Sequence, residues 1–94
     1  MPLKISIPSP LRRYTEGQGV VEVSGNTVGL ALESLLQQYP PLKQQIYTDD
    51  GRLRSFVNVY VNDEDIRHLQ KTDTPVSPGD TISIVPSIAG GRTR

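Results

Sequence analysis

Residues 56–65 read Phe56-Val57-Asn58-Val59-Tyr60-Val61-Asn62-Asp63-Glu64-Asp65. Val57, Val59 and Val61 fall on every second position, so an extended backbone puts all three on one face. β-branched and aromatic side chains suit a pleated surface, which makes this the most strand-prone stretch of the chain and predicts a central strand. The apolar run stops at Asn62-Asp63-Glu64-Asp65, where short polar side chains supply turn chemistry. Ile66 and Leu69 then predict a short returning strand.

Working outward, Pro78-Gly79-Asp80 is a second turn and Thr81 to Pro86 a last strand, with Ile82 and Ile84 facing a core. At the other end Leu3, Ile5 and Ile7 alternate with Lys4 and Ser6 until Pro8-Ser9-Pro10 breaks the strand. Val20-Val21-Glu22-Val23 is strongly β-branched and stops at Ser24-Gly25-Asn26, so the first two strands form a hairpin. From Thr27 the period changes. Val28, Ala31, Leu32, Leu35 and Tyr39 recur at three and four, with Leu36 widening the stripe. Asn26 or Thr27 caps this helix, and Pro40-Pro41 ends it. Leu42 to Tyr47 continues as a short helical turn anchored by Leu42 and Ile46, with a further turn at Asp49-Asp50-Gly51. The order predicts an α+β fold: a mixed sheet of four to five strands packed on one main helix. Its core is Ile5, Val21, Val57, Val59, Ile82 and Ile84 against Leu32 and Leu35.

Ninety-four residues make one domain. The aliphatic residues, nine Val, seven Ile and nine Leu, suffice for one core without tryptophan. Ten basic and ten acidic residues cancel, so no positive field draws the chain to nucleic acid or an anionic membrane. The N-terminus lacks a charged segment followed by an apolar one, and no run has the length of a membrane span, so a cytoplasmic protein is expected. There is no cysteine. That excludes disulfides, thiolate metal sites, a catalytic thiol and sulfur carried as a side-chain persulfide.

Beyond the last strand the chain reads Pro86-Ser87-Ile88-Ala89-Gly90-Gly91-Arg92-Thr93-Arg94. This divides it into a domain over 1–87 and a flexible tail over 88–94. Adjacent glycines are costly to order but fit a channel too narrow for side chains. Fully extended, Ser87 to Gly91 reaches roughly 17 Å, far enough to enter a partner's active site. A Gly-Gly pair alone reads as a frayed terminus; directly after this strand it reads otherwise.

The strand order, with Val61-Asn62, Pro78-Gly79-Asp80, Ile82, Ile84-Val85-Pro86 and Ala89-Gly90-Gly91, resembles the ubiquitin-like sulfur-carrier family over essentially the whole chain. That family comprises the thiamine-pathway carrier, the small subunit of molybdopterin synthase and a carrier serving a cysteine synthase. Residues 56–65 ahead of Ala89-Gly90-Gly91 most resemble the last. The resemblance implies a β-grasp fold and a protein co-substrate, not an enzyme. It further implies that a ubiquitin-activating-type partner uses ATP to adenylate the Gly91 carboxyl, that a sulfur donor protein supplies sulfur to form a thiocarboxylate, and that Ile88, Ala89, Gly90 and Gly91 thread the partner's active site. The resemblance implies that the chain itself binds no cofactor. The acceptor enzyme would be a pyridoxal-phosphate cysteine synthase, or alternatively the large subunit of molybdopterin synthase or a thiamine-pathway enzyme.

Arg92-Thr93-Arg94 comes after Gly91, and while it remains the Gly91 carboxyl is tied up in a peptide bond. The resemblance to tailed carriers implies removal by a zinc metalloprotease of the JAB/MPN type; the tripeptide is otherwise foreign to the native protein. Cleavage takes basic residues from ten to eight against ten acidic, a net charge of −2.

Other polar groups have plainer readings. His68 is alone, with no cysteine or second histidine to build a metal site or triad, and is expected in solvent near a turn. Asp63, Glu64 and Asp65 lack the ligand spacing and glycine of a calcium loop and are expected to form a solvated turn. Arg12-Arg13 and Arg52 with Arg54 are either solvated surface or a dock for an acidic partner. Phe56 and Tyr60, if they point away from the helix, leave an apolar sheet surface for partners. Two further classes stay open: a modifier that forms isopeptides through the same diglycine, and a plain interaction domain with no use for a free Gly91. No nucleophile and base at suggestive spacing supports an enzyme.

Overall fold

The computed structural model describes residues 3–55 and 57–86. Five strands form one sheet: β1 (Leu3–Ser6), β2 (Val20–Val23), β3 (Val57–Val61), β4 (Glu64–Asp65) and β5 (Thr81–Pro86), in the spatial order β2-β1-β5-β3-β4. β1 runs antiparallel to β2 and parallel to β5, while β3 runs antiparallel to β4 and β5. Registers such as Ile5↔Val21, Ile5↔Ile82 and Val59↔Ile84 align the apolar positions of neighbouring strands. Strand alternation therefore gives the sheet one continuous apolar face. This is the expected β-grasp arrangement. β3 has a paired neighbour on each side, as expected of a central strand, and β5 holds the middle position.

α1 (Val28–Gln38) covers that face. Thr27, the second of the two expected caps, takes the N-terminal position: its Oγ1 accepts from the Leu30 N–H at 3.2 Å. Val28, Ala31, Leu32 and Leu35 are fully buried, while Leu36 and Tyr39 are half-covered at the rim. A 3-10 turn at Pro40–Leu42 leads into α2 (Lys43–Ile46), anchored as expected by buried Leu42 and Ile46. Every residue of the expected core is buried, as is Val61.

Pro8-Ser9-Pro10 breaks the strand as expected, and beyond it a 3-10 turn over Ser9–Tyr14 buries Leu11. Thr15 behind it is fully buried and its hydroxyl donates to the Gln18 carbonyl at 2.8 Å. One local reading needs correction, that of Ile66 and Leu69. The returning strand is Glu64–Asp65; Ile66–His68 is a 3-10 turn whose Ile66 is buried while Leu69 is exposed. The cause is Asp65, whose carboxylate accepts from the Arg67 backbone N–H at 2.8 Å and so caps a turn where a strand would have continued. Glu64 and Asp65 are thus strand residues and not a solvated turn; the turn is Asn62-Asp63, both at positive φ. A two-residue hairpin turn of that conformation favours Asn and Asp. Turns at Asp49-Asp50-Gly51 and Pro78-Gly79-Asp80 are as expected, with Gly51 and Gly79 at positive φ.

Candidate functional site

The tail is the expected centre of function, and the strand that precedes it is held on both sides. β5 is paired to β1 over Thr81–Ser83 and to β3 over Ile82–Pro86. Its start is fixed by side chains as well. Asn62 Nδ2 donates to Asp80 Oδ1 at 3.1 Å, and Asn62 Oδ1 accepts from the Thr81 N–H at 3.0 Å. Asp80 Oδ2 also accepts from the Ser77 N–H at 2.8 Å, closing the Pro78-Gly79 turn. These bonds hold the Asp80 carboxyl below its ordinary range, the Ser77 amide first and the Asn62 amide second. Asn62 and Pro78-Gly79-Asp80, prominent in the sequence resemblance, thus form a structural latch that ties the β3–β4 turn to the root of β5.

Ile88, Ala89, Gly90, Gly91, Arg92, Thr93 and Arg94 lie outside the described residues, as does Phe56. Tyr60 is described and half-buried. Since Val59 and Val61 face the helix, Tyr60 faces the other way, in a row with Val20, Ser6 and Ser83 across four strands. Val20 and Val85 are exposed on the same open face, and Val85 is the penultimate residue of β5. The open face and the root of the tail are therefore contiguous.

The remaining polar residues separate into structural and free groups. Arg12 Nε donates to the Ile7 carbonyl at 3.0 Å, so this arginine fastens the 3-10 turn to β1, and Arg13 stacks over Tyr14. His68 is exposed, as expected. Among the described residues no group of three or more His, Asp or Glu side chains is placed to hold a metal ion, and no helix is long and apolar enough to cross a membrane. Arg67 grips Asp65 with Nε and Nη2, the latter at 2.8 Å, and its side-chain hydrogen bonds hold the Asp65 carboxyl down to about 2.

Sequence reasoning missed one feature. A cleft of about 700 Å³ opens between α1, the 47–55 segment, β3 and the 3-10 turns after β4. Arg52 and Arg54 meet Arg67 and Lys71 there. Nothing in the linear spacing links residues 52–54 with 67–71; only the turn-back of β3 and β4 does so. Tyr47 on its wall has its hydroxyl pKa raised, first by burial and then by Glu33.

Comparison with known proteins agrees with this fold. The sequence profile of the ThiS family matches residues 5–91, ending at Gly91. The sulfur carrier protein CysO of Mycobacterium tuberculosis is 39% identical over 93 residues, covering 97% of this chain and all of that protein. The crystal structure of the Amycolatopsis orientalis BexX/CysO complex contains a chain that superposes with a TM-score of 0.86 at 37% identity, covering 95% of this chain and 99% of the other. Small archaeal modifier protein 1 of Haloferax volcanii is 35% identical over 72 residues, 76% of this chain and 78% of that protein.

Proposed function

We propose, since this chain belongs to the ThiS family, that it carries sulfur as a thiocarboxylate on Gly91. The protein is a small ubiquitin-like sulfur carrier and not an enzyme. The observation that carries the finer reading is that the family match stops at Gly91, on a chain that has no cysteine. With no thiol on any side chain, the terminal carboxyl is the group left to hold transferable sulfur.

A carboxylate is a poor electrophile. An activating partner therefore uses ATP to form an acyl-adenylate at Gly91, releasing pyrophosphate. Sulfur from a donor protein, at the oxidation level of sulfide, bonds to the acyl carbon and AMP leaves. Arg92-Thr93-Arg94 is first removed by a zinc metalloprotease of the JAB/MPN type, since only a free carboxyl can be adenylated. Ile88, Ala89, Gly90 and Gly91 thread the partner's channel while the open face with Tyr60 and Val85 docks beside it. A CysO relative in complex with BexX is the precedent for a carrier of this shape seated on a partner. The relatives named CysO favour cysteine biosynthesis, on a pyridoxal-phosphate cysteine synthase, over the molybdopterin or thiamine branches.

Intact mass spectrometry of protein ending at Gly91, recovered from cells holding its partner enzymes, tests this. One oxygen exchanged for sulfur adds about 16 Da, and a thiol-directed alkylating reagent then labels the species. Oxidised Met1 has nearly the same mass but takes no label. Protein that never takes up the label sinks the thiocarboxylate reading. The modifier relative supports a second reading, in which Gly91 forms isopeptides with target lysines. Higher-mass conjugates that vanish on Gly91 deletion, without any labelled species, would favour it.

A further inference from the structure

The cleft beside β3 carries four of the chain's ten basic residues, Arg52, Arg54, Arg67 and Lys71, against Glu33 and Asp65. Asp65 is engaged by Arg67, and Arg52 has only a loose contact with Asp50 at 3.7 Å, with its side chain 84% exposed. On a molecule of zero formal charge this is a local positive excess, sharpened when loss of Arg92 and Arg94 leaves −2 overall. The floor is apolar: Leu53, Val57, Val59 and Ile66. Apolar floor and cationic rim together fit a segment with acidic residues flanking apolar ones. A nucleic acid fits less well, because the rest of the surface has no positive field to follow a phosphate backbone.

Position links the cleft to the tail. Val57 lines the cleft and pairs with Pro86, the last described residue of β5. One strand spacing, about 4.8 Å, separates the two. A protein that receives the tail therefore lies alongside the cationic rim. We infer that this cleft is a second docking surface, which binds an acidic, partly apolar segment of the protein that receives the tail. The inference rests on the carrier reading for its partner but not for its chemistry. It also assigns Arg52 the docking role; Arg54 Nε donates to the Gln44 carbonyl at 2.7 Å, so this arginine, like Arg12, is engaged within the fold and adds its charge to the rim from a fixed position.

Charge complementarity of this kind acts chiefly on encounter and affinity and is screened by salt. The test uses isotope-labelled protein ending at Gly91, titrated at low salt with a synthetic peptide alternating Glu and Leu. Amide shifts at Arg52, Ser55, Val57 and Lys71 are expected. They should weaken several-fold in the Arg52→Glu/Lys71→Glu double variant, and remain in Arg13→Glu, which adds one charge reversal elsewhere. Shifts confined to the open face, equal binding of an alternating Lys and Leu peptide, or tighter binding of a single-stranded oligonucleotide would each overturn the proposal. A second arm measures pyrophosphate exchange by the activating enzyme. The double variant should raise KM about tenfold with kcat within about twofold, while Arg13→Glu leaves both unchanged. An unchanged KM in the double variant overturns docking in the complex. Exchange absent even with unaltered protein refutes the carrier reading instead, and the peptide titration still decides the cleft.

Discussion

Replacing Asn62 by glycine isolates the latch at the root of β5. Asn62 sits at φ 50°, in the left-handed region, so glycine keeps the backbone and removes only the side chain. Two hydrogen bonds go, the 3.1 Å bond to Asp80 and the 3.0 Å bond from Thr81. At exposed sites each contributes about 0.5 to 1 kcal/mol net, so the expected loss is about 1 to 2 kcal/mol. Asn62→Ala should cost about 1 kcal/mol more, because a Cβ is disfavoured at that φ. Removing Asp80 as well should then cost less than the two single changes combined, with a coupling of at least about 0.5 kcal/mol. Urea unfolding followed by circular dichroism reads this directly: with a slope of about 1.5 kcal/mol/M, Asn62→Gly moves the midpoint down by about 1 M. An Asn62→Gly protein within about 0.3 kcal/mol of the parent, or a coupling near zero, would refute the latch. Those residues would then need another explanation for their place in the resemblance.

Leu32→Ala and Leu35→Ala, both at fully buried positions, should each cost about 2 to 5 kcal/mol, whereas Leu30→Ala on the exposed face of the same helix should stay within about 0.5. Thermal unfolding separates these by roughly 10 °C or more. Asp80 and Asp65 both titrate below their ordinary range, so they stabilise the fold above the unfolded carboxyl value of 3.8 and lose that contribution as pH falls, for Asp65 through about 2. Acid unfolding of Asp80→Asn should accordingly show a shallower loss of stability below about pH 4 than the parent. Protein ending at Arg94 should support no pyrophosphate exchange where protein ending at Gly91 does, and deletion of residues 88–94 should leave the urea midpoint nearly unchanged.

The parts of the fold legible in sequence are those where one period ran unbroken. Val57, Val59 and Val61 declared a strand, and Val28, Ala31, Leu32 and Leu35 a helix, because burial selects side chains at the spacing of the backbone that presents them. Spacing fails where a single side chain intervenes. Ile66 and Leu69 looked like strand residues until the Asp65 carboxylate captured the Arg67 amide and bent the chain. Ser9–Tyr14 carries Pro and Arg with only Leu11 to bury, too few apolar positions to show a period. At the site, the diglycine and the latch residues could be quoted from the sequence, but the latch's purpose could not: Asn62 and Asp80 are 18 residues apart, and only the β3–β5 register joins them. The cationic cleft was invisible for the same reason, with half its rim recognised as an arginine pair and the other half unnoticed.

The strand order bears directly on how a carrier of this kind can work. A tail drawn into a partner's channel pulls on the strand before it, and an edge strand with one neighbour would be the element most easily peeled away. Here the tail extends from β5, the middle strand, with a parallel partner on one side and an antiparallel one on the other. The β3 ladder covers Ile82–Pro86 and the β1 ladder Thr81–Ser83, so a pull on Pro86 is met first by β3 and then by the doubly paired root of the strand, where the Asn62 and Asp80 latch holds the far end. Local opening free energies are highest in such doubly paired core elements and lowest at termini. The domain can thus remain folded while its last residues adopt whatever extended path a partner imposes. Hydrogen exchange offers a direct check, since the amides of the doubly paired part of β5, Ile82 and Ser83, should open only with global unfolding. In the free protein their opening free energy should equal that of global urea unfolding, and exchange by a cheaper local route would show that β5 is loose.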